Sequence, residues 1–141
     1  AISLFLATAA VPTPAAAQAQ VALDSAVYVE RADPAAGRTL EPARQLSRGD
    51  RVVYVMRWQR VAGSGGFTVT NPLPRSVYFQ GSADGSEEVS IDGGRSWGKL
   101  ENLRLGNRFA TAEDVTHVRW KVAPAQAAQG AGRIAYSAIV R

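Results

Sequence analysis

The chain has 141 residues, of which 46% are hydrophobic and 20% are charged, and 16 Lys and Arg against 12 Asp and Glu give a net charge of +4. This length supports one core, which argues against a multi-domain enzyme or a multi-bladed propeller, and the hydrophobic content argues against a disordered chain. The basic residues are dispersed, so the charge pattern indicates no nucleic-acid partner. Because the chain has no cysteine, disulfides, thiolate metal ligands and thiol nucleophiles are excluded.

The first residues have the layout of a secretory signal peptide. Their apolar run at 1–10 (AISLFLATAA) is too short to span a bilayer, and it leads into small residues with the A-x-A spacing of a cleavage site. We expect residues 1–19 to be an N-terminally clipped signal peptide, cleaved after Ala19. The alternative is a disordered Ala/Pro tail. Under the first interpretation, residues 20–141 form a single domain that is exported to the periplasm or the cell surface and has no transmembrane span.

From Asp24 onward, the apolar residues recur at every second position in short runs that Gly, Pro, Asn, Asp and Ser separate, which indicates half-buried strands. The predicted strands are 26–30, 51–58, 67–70, 77–80, 88–91, 116–122 and 133–141. Between them, residues 32–47 are an irregular connection or a weak edge strand, and only 111–114 and 123–129 suggest short helical turns. About seven amphipathic strands predict an all-β, antiparallel two-sheet sandwich, because a single sheet would leave its apolar face in water.

Large aromatic residues mark the apolar faces of these strands. Tyr54 and Trp58 share one face of the segment 51–58, Trp120 lies on the apolar face of 116–122, and Tyr136 lies in the last segment. We expect these four to be core anchors, because aromatic side chains bury the most area per residue. Trp97 is expected to join Trp58 and Trp120 in the core.

The sharpest local pattern is SIDGGRSW at 90–97, which resembles the S-x-D-x-G-x-T/S-W "Asp-box" of sialidases and of several unrelated β proteins. The pattern predicts a structural hairpin in which Asp92 accepts hydrogen bonds from backbone N–H groups and Trp97 packs back over the turn. The residues of this hairpin are Ser90, Asp92, Gly93, Gly94 and Trp97. In propellers the box marks architecture rather than chemistry, and here it occurs once, so we assign it no glycan-cleaving role.

The polar residues do not assemble a catalytic or metal site in the sequence. The acids at 84–88 are a weak candidate for calcium because they lack the regular ligand spacing of an EF-hand loop, and nothing pairs two carboxylates as a glycosidase requires. His117 is the only histidine, and no nucleophile motif accompanies it. We therefore assign no catalytic, metal or cofactor-binding residue and predict that the chain is not an enzyme.

Four basic residues fall on strand faces that point away from the core: Arg57, His117, Arg119 and Lys121. Together they can form a face that binds anionic polymers of the cell envelope. The alternative is an ordinary solvated face whose charges prevent edge-to-edge aggregation.

Several segments together resemble a conserved-repeat family of bacterial and archaeal surface proteins, catalogued as a domain of unknown function, the eleventh in that series. The similar segments are 49–54 (GDRVVY), 69–74 (VTNPLP), 77–83 (VYFQGSA), 90–94 (SIDGG) and 115–120 (VTHVRW), followed by Gly130 and the closing strand. The resemblance covers about 46–141. The chain departs from it at 59–61, where the family has an Asn-x-Gly step, and in having one copy where the family often has tandem repeats.

The resemblance implies an immunoglobulin-like sandwich in the cell envelope, with no catalysis and no cofactor. A single copy does not extend a stalk by repetition, so an independent binding or accessory role gains weight. We therefore expect an exported, non-catalytic structural or protein-interaction module of the bacterial envelope. The alternatives are a module that binds carbohydrate or an anionic polymer and, less favoured, a glycan hydrolase. The expected partner is accordingly an envelope protein or polysaccharide.

Overall fold

A computed structural model describes residues 19–141, in which nearly all regular structure is β-strand. The expected signal peptide lies outside the described residues except for Ala19. The strands are β1 (Gln20–Asp33), β2 (Gly37–Pro42), β3 (Arg51–Ala62), β4 (Phe67–Pro72), β5 (Val77–Gly81), β6 (Glu88–Ser90), β7 (Arg104–Leu105), β8 (Arg108–Phe109), β9 (His117–Val122) and β10 (Ala131–Val140). One short helix, α1 (Pro124–Ala127), precedes β10, and two 3₁₀ turns span Leu100–Asn102 and Ala112–Asp114.

The strands form two sheets that pack against each other, and every strand pair is antiparallel. The larger sheet has the order β2-β1-β3-β10-β5 and the smaller has the order β4-β9-β6, while β7 and β8 form a separate two-stranded hairpin. The prediction of an all-β antiparallel sandwich is confirmed. Eight strands make up the two sheets, where about seven were predicted, because residues 37–42 form the edge strand β2, the second of the two alternatives for the segment 32–47.

The turn between β1 and β2 explains this additional strand. The Asp33 carboxylate accepts hydrogen bonds from the backbone N–H groups of Ala35 and Ala36 at 2.7 and 3.1 Å, and Gly37 has the positive φ of 76° that the turn needs. These bonds reverse the chain so that β2 pairs with the second half of β1, from Tyr28 to Asp33. Both faces of β2 are largely exposed, so its sequence carries little of the alternation by which a strand is recognised.

The main core lies between β3, β10 and β5 of one sheet and β4, β9 and β6 of the other. Its centre is aromatic: the Tyr136 ring stacks on Tyr54 with centroids 4.9 Å apart and meets Trp120 at 5.3 Å. Asn71 donates a hydrogen bond to the Tyr136 hydroxyl, which gives that buried polar atom a partner. Trp58, Trp120 and Tyr136 are buried, whereas Tyr54 is half-buried at the margin.

The larger sheet is wider than the smaller one, and this difference leaves part of β1 uncovered. Leu23 and Val27 face the same side as Trp58 and Tyr54, their partners on β3, yet they are 54% and 36% exposed. Neither belongs to the core that the smaller sheet covers. The smaller sheet therefore leaves Leu23 and Val27 uncovered, although Val21 at the start of β1 packs against the main core.

Candidate interaction surfaces

The hairpin at 90–97 has the bonding that the Asp-box pattern predicts. One carboxylate oxygen of Asp92 accepts hydrogen bonds from the Ser90 hydroxyl at 2.7 Å and from the backbone N–H groups of Arg95 and Ser96 at 3.1 and 2.9 Å. The other oxygen accepts the Ser96 hydroxyl at 2.6 Å. Both oxygens of Asp92 thus bind the turn itself, so its role here is structural.

The glycines of the hairpin allow the turn to close. Gly93 and Gly94 have φ values of 78° and 90°, a region in which a side chain is strained. The Gly94 N–H donates to the Ser90 hydroxyl at 2.9 Å, and the Gly94 carbonyl accepts the Trp97 indole N–H at 3.1 Å. Ser90 is completely buried beneath the turn. The predicted hairpin residues therefore act as one hydrogen-bonded unit.

We expect Asp92→Ala to lower the melting temperature and to weaken its acid dependence. The hydrogen bonds from the Ser96 hydroxyl and backbone, then from Ser90, hold the pKa of Asp92 well below its ordinary value of 3.8. A lowered folded-state pKa means that the carboxylate stabilises the fold above pH 3.8 and that this contribution is lost as the pH falls further. Melting curves from neutral pH into acid check this, and an equally steep acid decline in wild type and variant would contradict it.

Trp97 lies outside the core, which corrects its interpretation as a core anchor. Its ring is on the outer face of the smaller sheet, where the Arg119 guanidinium lies 4.5 Å from the ring centroid and the His117 ring meets it edge-on at 6.4 Å. The Trp97 side chain is only half-buried. Trp97, His117 and Arg119 thus form a surface cluster in which an aromatic ring adjoins a basic group.

The positive charge of this cluster is partly neutralised. The Glu88 carboxylate lies 3.2 Å from both Arg119 Nη2 and Lys121 Nζ, and these two cations lower the pKa of Glu88, the Lys121 hydrogen bond most of all. The His117 Nδ1 lies 3.0 Å from the Thr116 hydroxyl. One carboxylate therefore faces two cations, which weakens the case for a strongly basic binding face.

Arg57 does not join the other three residues of the predicted basic face. It lies on β3 of the larger sheet, where it pairs in register with Asp24 of β1 and Arg133 of β10. His117, Arg119 and Lys121 lie on β9 of the smaller sheet, alternating with buried residues. Because outward faces of two packed sheets point in opposite directions, the structure places Arg57 on the opposite side of the sandwich.

The acidic segment at 84–88 also bonds internally. The Ser82 hydroxyl lies within hydrogen-bonding distance of the carboxylates of Asp84, at 3.0 Å, and Glu87, and the Asp84 carboxylate accepts the Ser86 N–H at 3.2 Å. Among residues 19–141, no group of three or more His, Asp or Glu side chains is arranged to hold a metal ion. In the same part of the chain, no helix is long and apolar enough to cross a membrane.

The sheet edges differ in how well they are closed to further pairing. At β6, Val89 exchanges two backbone hydrogen bonds with Gly98, at 2.9 and 3.1 Å, so its outer side is occupied. β4 ends at Pro72, which has no N–H to donate, and β5 has only five residues. β2 is short as well, and it covers only the second half of β1.

The first half of β1 is an open edge, which we define as residues 20–27. It pairs with β3 on one side, and within residues 19–141 no strand pairs with its other side. The Val27 carbonyl accepts the Ala43 N–H at 3.1 Å on that other side. Because backbone groups alternate along a strand, the N–H and C=O groups of Leu23 and Ser25 also point outward there.

Sequence reasoning missed this open edge. It placed the strand at 26–30 and so omitted the exposed half, which carries Leu23 and Val27. The available signal was the pair Val21 and Leu23 at alternate positions just before the predicted strand, in a stretch free of Lys, Arg and Pro. Such a stretch lacks the features that usually protect an edge strand.

Comparisons with profiles of protein families, with curated proteins and with solved structures find no match to this chain. The resemblance to the conserved-repeat family therefore stays a prediction.

Proposed function

We propose that this chain is an exported, non-catalytic protein-interaction module of the bacterial cell envelope and that it binds through the open edge of β1. The observation that carries this proposal is the row of outward-pointing backbone groups at Leu23 and Ser25, beside the exposed side chains of Leu23 and Val27. The apolar start of the sequence with its cleavage pattern supports export, and the resemblance to surface proteins supports an envelope location.

The edge is suited to the addition of one further strand. An incoming extended segment gains main-chain hydrogen bonds to Leu23 and Ser25, and its side chains reach the apolar patch that the smaller sheet leaves uncovered. Affinity then comes from the backbone ladder, and selectivity comes from the fit to Leu23 and Val27. This mode of binding requires an extended partner and no enzymatic chemistry.

The test compares Ser25→Pro with Ser25→Ala in an affinity capture against solubilised envelope of the same organism, with bound protein and sugar both identified. The Ser25 N–H points away from β3, so proline there removes an outward donor without breaking the ladder inside the domain. We expect wild type and Ser25→Ala to retain the same specific protein and Ser25→Pro to retain at least about tenfold less. Retention of one specific protein to the same extent by all three would contradict the proposal.

A second candidate function is binding of carbohydrate or an anionic polymer, favoured by Trp97 and Arg119. A half-buried indole packed beside a guanidinium offers the open part of its ring and a charge to an anionic sugar. In the same capture, this function predicts retention of polysaccharide that falls with salt and is indifferent to Ser25→Pro.

A further inference from the structure

We propose that the open edge of β1 pairs with the same edge of a second copy of this chain, related by a twofold axis at Leu23. This inference rests on the proposed function, since it names the partner of that same edge. The resulting dimer has one continuous sheet in which β1 of one copy lies antiparallel to β1 of the other.

The composition of the edge is compatible with self-pairing. Between Gln20 and Val27 the only charged residue is Asp24, which lies on the face of the sheet opposite to Leu23. Lysine, proline and inward-pointing charges are the devices by which edge strands avoid association with copies of themselves, and this segment contains none of them. An antiparallel arrangement also closes after two copies, so it forms a dimer rather than a fibre.

The structure limits the register of this pairing. Residues whose backbone groups point outward must face each other, which restricts the facing pairs to the odd-numbered set that includes Leu23 and Ser25. The incoming strand must also end beside Val27, because β2 occupies the edge from Tyr28 onward. A register centred on Asp24 is excluded for two reasons. It brings Gln20 of the second copy onto the Tyr28–Pro42 pair, where β2 already occupies the edge. It also sets the two Asp24 carboxylates opposite each other, where they repel.

The register centred on Leu23 satisfies both limits. Leu23 then faces Leu23 of the second copy, and Asp24 faces Ala22, so no like charges meet. The two Leu23 side chains, each 54% exposed in the single chain, cover each other on the side that the smaller sheet leaves open. A register shifted by one further step towards the N-terminus would depend on the backbone groups of Val21 for its hydrogen bonds, and the ladder between β1 and β3 is irregular at that residue.

The first experiment measures the mass of the chain, purified from cells that export it, by sedimentation over a range of concentrations. We expect a concentration-dependent dimer whose dissociation constant rises about tenfold or more in Leu23→Glu, because the substitution sets two carboxylates opposite each other. Val61→Glu is the matched control, since Val61 is an apolar residue of similar exposure, 62% against 54% for Leu23, and lies on β3 outside the open edge. A monomer at every concentration, or a dimer that Leu23→Glu leaves unchanged, would overturn the inference.

A second experiment tests the register. Since the chain has no cysteine, single cysteines can be introduced as reporters and oxidised with a glutathione disulfide buffer. Cα atoms that face each other across an antiparallel ladder are about 5.5 Å apart, within the range of a disulfide. Leu23→Cys is therefore expected to form a covalent dimer. Ser25→Cys, which lies off the axis and about 14 Å from its counterpart, is not. Cross-linking of Ser25→Cys alone would overturn the register.

The two proposals fail separately. A monomeric chain that still captures a different protein in a Ser25→Pro-sensitive manner refutes the second-copy partner and leaves the proposed function standing. A dimer that depends on Leu23, with no other protein captured, supports the second copy as the partner of the edge. A monomer whose capture is insensitive to Ser25→Pro refutes both.

Discussion

Replacing Trp120 with alanine is expected to lower the free energy of unfolding by about 3 to 5 kcal/mol. Trp120 lies on the central strand of the smaller sheet, paired with Val69, and is 5% exposed. Its ring meets Tyr136 of the larger sheet at 5.3 Å, so the truncation opens a cavity between the sheets. A loss of this size is a large fraction of the stability of an ordinary domain.

Trp97→Ala is the matched control for this prediction, since it removes the same side chain from the outer face of the smaller sheet. It loses one hydrogen bond to the Gly94 carbonyl and the contact with Arg119, but it leaves no core cavity. Denaturant unfolding of both variants gives the comparison. An unchanged midpoint for Trp120→Ala, or equal losses in the two variants, would show that Trp120 is not a core anchor.

The strand pattern of the sequence predicted the fold well where one face of a strand is buried. The strand predicted at 116–122 forms β9 (His117–Val122), whose residues alternate strictly between the core and the surface. The pattern was uninformative where burial does not alternate. β2 is largely exposed on both faces, and residues 22–27 of β1 are exposed on both faces, because the smaller sheet does not cover them.

Surface residues were harder to predict, because alternation gives the face of a strand but not the sheet to which the strand belongs. Arg57 and Arg119 both point away from the core, yet they lie on different sheets and so on opposite sides of the molecule. Trp97 shows a related limit. Size and hydrophobicity favour burial, but the tight turn at Gly93 and Gly94 directs the indole outward, where Arg119 covers it.

The open edge depends on where the neighbouring strand ends, which the sequence of β1 alone does not show. β1 pairs with β3 from Gln20 to Val29, while β2 pairs with it only from Tyr28 to Asp33. The exposed backbone groups at Leu23 and Ser25 arise because β2 ends before it reaches them. A sequence pattern reports each strand alone, so it does not show where a neighbouring strand ends.

Gly132→Ala is expected to destabilise the domain by about 1 to 3 kcal/mol, although it adds a single methyl group. Gly132 pairs with Trp58 across β10 and β3, and the indole packs directly against the glycine. A Cβ at this position would lie 2.6 Å from three atoms of the Trp58 ring. Since Trp58 is 2% exposed and its other edge meets Phe67 with centroids 5.0 Å apart, the ring has little room to move away.

Gly98→Ala is the control, because a Cβ there meets only the end of the Leu103 side chain, at 3.2 Å, which can rotate. A double-mutant cycle then identifies the cause: in a Trp58→Leu background the indole is gone, so Gly132→Ala is expected to cost at least about 1 kcal/mol less than it does alone. Denaturant unfolding of the four proteins measures the coupling. Additive losses would show that the Gly132 requirement comes from the backbone and not from Trp58, and the close packing of β3 on β10 would then need another explanation.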